Sequence, residues 1–373
     1  MNRAGGRPSL IGLEHAEIEA AVAALGEPPA RVRMRAEQIW LWLYRRGAHD
    51  FEQMTTLPKE LRERLAAAYA IDRPEIVAAQ HAADGTRKWL LRFADGQEVE
   101  TVFIPEDDRG ALCVSTQVGC TLTCSFCHTG TMPLVRNLMP AEIVAQVLVA
   151  CDSLCEWTRA GAPKQLTNIV VMGMGEPLFN YDNTAKALRI VMDGTGIDLS
   201  RRRVTLSTSG VVPRIEQCGR ELGVGLAVSL HAVRDELRDR IVPLNRKWNI
   251  AALLAACRAY PARGKLVTFE YVMLDGVNYT DADAHELVRL LEDVPAKVNL
   301  IPFNPWPGSE FTCSSRARIA SFARILTDAG YASPVRTPRG RDIQAACGQL
   351  KTASRRPARQ RAPIEGVPVE AAA

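Results

Sequence analysis

No run of apolar residues in this 373-residue chain reaches the ~18 to 20 that span a bilayer, which excludes a transmembrane helix. The opening residues, Met1-Asn2-Arg3-Ala4-Gly5-Gly6, lack the apolar core of a secretory signal. Both absences predict a cytoplasmic protein with no membrane partner. Neither charge is in large surplus: 46 Lys and Arg against 42 Asp and Glu leave a net +4. That excludes a histone-like polycation, but not a local basic face for nucleic acid. No repeat of solenoid period is present. The composition is 47% apolar and 24% charged, so disorder and collagen are excluded for most of the chain.

What is present in quantity is cysteine. Ten cysteines in a cytoplasmic chain do not read as a disulfide framework. Three of them crowd into Cys120-Thr121-Leu122-Thr123-Cys124-Ser125-Phe126-Cys127.

Residues 1–75 read as a small helical domain. Glu17 to Leu25 is Ala-rich, and 36–46 is amphipathic up to Gly47. Leu57-Pro58 opens a further helix. The stripe Trp40, Trp42, Tyr44 fits the core of that domain. Residues 76–109 change period: two β-rich runs, 88–93 and 99–104, flank Ala94-Asp95-Gly96, a hairpin signal. From 110 to 350, strand and helix alternate. Strands are expected at 111–116, 168–172, 203–207, 225–230, 266–274 and 297–302. Helices are expected at 140–155, 183–192, 212–222, 250–260, 281–291 and 315–329. Short apolar strands bounded by turn residues suit a buried parallel sheet. The fold class is therefore α/β, a partial parallel (β/α)6 barrel with a helical N-terminal domain; an open doubly wound sheet is the alternative. Beyond 350, Lys351, Arg355, Arg356, Arg359 and Arg361 occur without an acid, and a basic, disordered tail is expected over 351–373.

The C-x3-C-x2-C loop follows the first strand, at the end where barrels keep their chemistry. Three thiolates can wrap one metal centre. Zinc would want a fourth ligand, for which His128 is the neighbour. An iron–sulfur cluster with three thiolates leaves one iron open. Cys151 and Cys155, four apart on a predicted helix, could also ligate but fit core packing better. Cys218, Cys257 and Cys313 are isolated.

The C-x3-C-x2-C spacing with Phe126 before its last cysteine resembles the radical S-adenosylmethionine (SAM) signature. Further motifs extend the likeness. They are Gly173-Met174-Gly175-Glu176-Pro177 after the second strand, Ser207-Thr208-Ser209-Gly210 after the third, and Ser229-Leu230-His231 at the fourth. Pro302-Phe303-Asn304-Pro305 ends the sixth, and Arg339 to Leu350 closes the core. Together they resemble the RlmN/Cfr family of RNA adenosine methyltransferases, from about residue 10 to 350, with no departure at a motif position.

The resemblance implies the following. Cys120, Cys124 and Cys127 hold a [4Fe–4S] cluster. Gly175, Glu176, Ser207, Ser229, Leu230, His231 and Asn304 contact SAM. Cys347 accepts a methyl from one SAM, as a thiolate. A second SAM is cleaved reductively, and the resulting radical takes a hydrogen from the S-methyl group. The carbon radical adds to an electron-poor adenine carbon. Cys113 attacks the Cys347 sulfur, giving a transient disulfide and freeing the product. Glu100 is the proton acceptor; by itself it would read as an exposed hairpin carboxylate. A closed barrel would bring Cys113 beside Cys347. The substrates implied are 23S rRNA and tRNA beside the anticodon, at adenine C2, with C8 as the alternative. An electron donor of flavodoxin-like kind is needed, and the enzyme is expected to be a monomer. Arg31, Arg33, Arg35, Arg45, Arg46 and Arg201 to Arg203 are candidates for RNA phosphate contacts. A non-catalytic, metal-stabilised RNA-binding module is the contrasting reading.

Overall fold

The computed structural model describes residues 3–4, 6–158, 164–261 and 266–354. Three helices open it: α1 (His15–Ala24), α2 (Pro29–Tyr44) and α3 (Lys59–Ala68). The Glu14 N–H donates to Glu17 Oε2 at 2.8 Å and caps α1. Proline occupies the first position of α2, where no N–H is needed. Gly47, with φ 64°, turns the chain after α2, and a Cβ there would lie 2.3 Å from the Trp157 ring. Trp40 and Tyr44 are buried in the core as expected. Trp42 is only half-buried: its Nε1 donates to Thr56 Oγ1 at 2.8 Å and Arg46 sits over its ring.

A nine-stranded sheet follows, and its spatial order is its chain order. The strands are β1 (Glu75–His81), β2 (Arg87–Arg92), β3 (Glu98–Pro105), β4 (Gly110–Cys113), β5 (Asn168–Val171), β6 (Val204–Thr208), β7 (Gly225–Ser229), β8 (Val267–Met273) and β9 (Ala296–Pro302). β1 to β4 form an antiparallel meander, and β4 to β9 are parallel. A doubly wound sheet reverses its strand order part-way; this one does not, so that alternative is overturned.

The connecting helices are α4 (Pro140–Ser153), α5 (Tyr181–Met192), α6 (Val212–Glu221), α7 (Asp235–Ile241), α8 (Ile250–Ala259), α9 (Asp281–Leu291) and α10 (Arg316–Asp328). Every residue of β8 is buried, as a strand between barrel interior and outer helices must be.

The structure corrects four expectations. The hairpin has a third strand, β1, whose seven residues are all exposed and so carry no burial alternation. Helix α7 was not expected. Cys155 lies past the end of α4 with φ 55°, so Cys151 and Cys155 do not share a helical face; Cys151 is buried in the core. Finally, the barrel is partial, as expected, and β9 does not pair with β4 among the described residues, so barrel closure is not what brings Cys113 beside Cys347. Instead the chain after α10 runs along β9: Val298 N donates to Ala332 O, Leu300 N to Pro334 O and Arg336 N to Leu300 O, at 2.8–3.0 Å. It then crosses the open end of the barrel. Apart from 351–354, the expected basic tail lies outside the described residues. No helix among the described residues is long and apolar enough to cross a membrane.

Candidate active site

A cavity of about 450 Å³ opens at the C-terminal ends of the parallel strands. That is the size of a cofactor pocket. The cysteine loop forms one wall. Its entry is held by Gln117, whose Oε1 accepts the N–H groups of Thr121 (3.2 Å) and Glu176 (3.0 Å). One side chain thus ties the cysteine loop to the Gly175-Glu176 turn. Gly175 is itself required there. Its φ is 102°, and a Cβ would come within 2.6 Å of the Gln117 side chain.

Glu176 is buried and faces the cavity. Its Oε1 accepts from Leu178 N at 3.0 Å and its Oε2 from Ser209 N at 2.8 Å. Burial outweighs those donors and pushes its carboxyl up to about 7. Ser207, Ser229, His231 and Asn304 line the same cavity. His231 has φ 62°, and its Nδ1 accepts from Val272 N at 3.1 Å. Burial and then Arg238 push it down to about 3, so the ring stays neutral. Asn304 donates to Cys347 O at 3.2 Å.

Cys113 and Cys347 face the cavity as well. Burial pushes both thiols up to about 12. Cys347 is nonetheless exposed along one side, on the segment crossing the barrel mouth. That segment is tied down along its length. Gly340 N donates to Asp84 Oδ2 at 3.0 Å, and Ala83 N to Asp342 Oδ2 at 3.0 Å. His128 N donates to Gly348 O at 2.8 Å, and Thr129 Oγ1 to Leu350 O at 2.6 Å. So the crossing segment, rather than barrel closure, brings the two cysteines to one cavity. All ten cysteines are free thiols.

Cys120, Cys124 and Cys127 also line the cavity, and burial raises each thiol. A metal centre reverses that preference, because it binds thiolates. Among the described residues no three His, Cys, Asp or Glu side chains are gathered as the ligands of one ion. A four-iron cluster takes one thiolate per iron and needs a wider spacing, which suits these residues better than zinc. His128 is no fourth ligand. Its ring stacks on Trp306 at 4.6 Å, and its Nδ1 meets Gln349 O at 3.3 Å.

Two family models match the chain: the radical SAM superfamily over residues 114–291, and the ribosomal RNA large subunit methyltransferase N-terminal domain over 9–71. A "Dual-specificity RNA methyltransferase RlmN" from Gluconobacter oxydans is 59% identical over 366 residues, covering 96% of this chain and 89% of the relative. One of the same name from Rhodospirillum rubrum is 60% identical over 351 residues, covering 93% and 81%. The chain belongs to the RlmN family. A crystal structure of a radical SAM methyltransferase from Sphaerobacter thermophilus matches with TM-score 0.86 and 48% identity, covering 92% of this chain and 99% of that one. The RlmN membership agrees with the partial barrel, the helical N-terminal domain and the use of SAM with a [4Fe–4S] cluster.

Two expected site residues stand apart from the cavity wall. Leu230 is fully buried; its backbone N–H donates to Glu270 O at 3.1 Å. Glu100 is buried behind the crossing segment, where Lys88 Nζ lies 2.8 Å from Oε1 and Lys351 N donates to Oε2 at 2.8 Å. Burial raises its pKa against the pull of Lys88. It is not the exposed hairpin carboxylate that its position suggests.

Sequence reading missed Glu270, a buried carboxylate on β8 that lines the cavity; a lone acid in the apolar run 267–273 was its signal. It also missed Arg238, which reads as part of a solvated charge run.

Proposed function

We propose that this chain methylates C2 of an adenosine in 23S rRNA and of the adenosine 3′ of the anticodon in tRNA, through an S-methylcysteine at Cys347. The observation that carries this reading is the convergence on one cavity of the three-cysteine loop with a separate pair of cysteines. A simple methyl transferase needs only one SAM site and no cysteine pair.

Cys120, Cys124 and Cys127 would hold the cluster. When bound, it supplies the electron that splits SAM reductively, drawn from a flavodoxin-like donor. Glu176 offers a carboxylate to the SAM amino group, with Gly175, Ser207, Ser229, His231 and Asn304 completing its surroundings and Leu230 packed behind Ser229. Cys347 gives up its proton and accepts a methyl group; once the radical derived from a second SAM has taken a hydrogen atom from that methyl, its carbon bonds to the target base. The RNA is then joined to the protein through the Cys347 sulfur. Glu100 takes the proton leaving the adenine ring, which requires the 344–351 segment to shift off its carboxylate. Attack of the Cys113 thiolate on the Cys347 sulfur forms a disulfide and breaks the sulfur–carbon bond, whose carbon leaves with the electron pair and takes up a proton to become the methyl group of the released RNA. The target adenine must leave its stack to enter the cavity. Exposed Arg31, Arg33, Arg45 and Arg46 on and after α2 are suited to phosphate contacts, and the enzyme acts as a monomer.

Nucleoside analysis of 23S rRNA and tRNA from cells lacking and then regaining the gene tests this. Restored 2-methyladenosine in both RNAs is expected. Its appearance in rRNA alone removes the tRNA activity, and 8-methyladenosine in its place overturns the C2 assignment.

A further inference from the structure

Arg238 has no role in the steps above, yet it is completely buried. Its Nε donates to Leu230 O at 2.9 Å, and its Nη2 to Ser229 O at 3.0 Å and Ser209 O at 2.7 Å. Its Nη1 donates to Asn245 Oδ1 at 2.9 Å. Three of the four acceptors are backbone carbonyls at or just beyond the ends of β6 and β7. One guanidinium therefore clamps together the two strand ends that carry Ser207, Ser229 and His231. The same helix, α7, also holds the cysteine loop: Ile241 O accepts the N–H of Ser125, which lies between Cys124 and Cys127.

The second feature is charge. None of the four acceptors is a carboxylate. Asp235 and Asp239 accept from Asn245 Nδ2, at 2.9 and 2.7 Å, and not from the guanidinium itself. A buried guanidinium held by neutral groups is costly unless an anion lies nearby. The cation sits on the helix whose last residue, through Ile241 O, holds Ser125 of the cysteine loop at 3.2 Å.

We propose that Arg238 is a positioning residue that fixes the SAM-facing strand ends, and is also the built-in countercharge for a cluster held by Cys120, Cys124 and Cys127; this rests on the reading of those cysteines as cluster ligands. A fixed cation beside the cluster stabilises its reduced, more negative form and raises its reduction potential. The two roles separate by substitution. Lysine keeps the charge but cannot reach four acceptors in a planar fork. Methionine loses both.

The test uses the full chain loaded with iron and sulfide, without RNA. Two quantities are read: the cluster's midpoint potential by EPR-monitored titration, and equilibrium binding of SAM to the oxidised protein. Arg238→Met should shift the midpoint to more negative potential and weaken SAM binding at least tenfold. Arg238→Lys should keep the wild-type midpoint and still bind SAM more weakly. Asp239→Asn removes a half-buried negative charge beside Asn245 and should move the midpoint the other way. A wild-type midpoint in Arg238→Met protein with full iron content overturns the countercharge. Wild-type SAM affinity in Arg238→Lys overturns the positioning role. If Arg238→Met does not fold, an unchanged midpoint in Asp239→Asn decides against the countercharge. A wild-type chain that takes up no cluster fails at the earlier step and removes the reading on which this one rests.

Discussion

Glu100 and Glu270 are both buried carboxylates, but their surroundings set them different tasks. Glu100 pairs with Lys88 and is covered by the Lys351 N–H. Its charge is compensated, and the base role proposed for it requires the crossing segment to shift. Glu100→Gln keeps the shape and removes the proton acceptor. It should still cleave SAM, while methylated RNA falls by roughly 10²-fold or more, the usual scale for a general base; normal RNA methylation would remove Glu100 from the mechanism. Glu270 accepts one hydrogen bond, from Asn299 Nδ2 at 2.8 Å, with Arg336 3.8 Å away. Burial raises its pKa from 4.5 against Arg336, Asn299 and Lys297. Between 4.5 and its raised pKa the folded chain holds a proton that the unfolded chain has released, so stability falls as pH rises through that window. Glu270→Gln does not titrate. It should melt at a higher temperature than wild type at neutral pH, with the gap closing toward acid. Melting curves at several pH values check this, and a gap that is independent of pH would contradict it.

At the scale of elements, the turn between β1 and β2 and the crossing segment hold each other by reciprocal caps. Asp84 accepts from Gly340 N, and Asp342 accepts from Ala83 N. Gly340 and Gln344 both adopt positive φ and flank a single 3-10 turn, Arg341–Ile343, so this stretch depends on its anchors for its position. Removing the Asp84 carboxylate loses this bond and the one it accepts from Thr86 N at 3.0 Å, about 1 kcal/mol each, too little to unfold the chain. It is enough to displace Cys347 from a position where small shifts are expensive. Asp84→Ala should therefore retain iron and SAM cleavage but lose roughly tenfold in RNA methylation; equal loss of both activities would place the cap elsewhere in the mechanism. This same stretch marks the limit of what the sequence shows. The strands β4 to β9 were legible because each is a short apolar run closed by turn residues. The cysteine loop was legible because three thiols on a polar loop have little structural use. β1 was not, since all seven residues are exposed and their alternation carries no burial signal. Nor was Arg238: a buried arginine satisfied by carbonyls looks, in sequence, like any solvated one.

For the whole molecule, the decisive fact is that an open barrel is completed by its own chain end. β4 supplies Cys113, and the segment after α10 returns across the mouth with Cys347, anchored by the cysteine loop at Gly348 and Leu350 and by β3 at Glu100. Two cysteines from opposite ends of the core thus share one cavity while both remain thiols. Their proposed roles give different failures. Cys347→Ala removes the methyl acceptor, so nothing can be attached to RNA. Cys113→Ala leaves acceptor and radical step in place but removes the thiol that breaks the sulfur link. That protein should accumulate in cells as a covalent RNA adduct, visible on denaturing gels as a nuclease-sensitive shift. The double variant should show none, because the bond runs through Cys347. An anchor such as the His128 N–H on Gly348 does not take part in the bond, so the trap depends on the pair alone. If wild type methylates RNA normally and Cys113→Ala carries no nuclease-sensitive adduct, release does not go through Cys113, and the nearness of the two thiols has another cause.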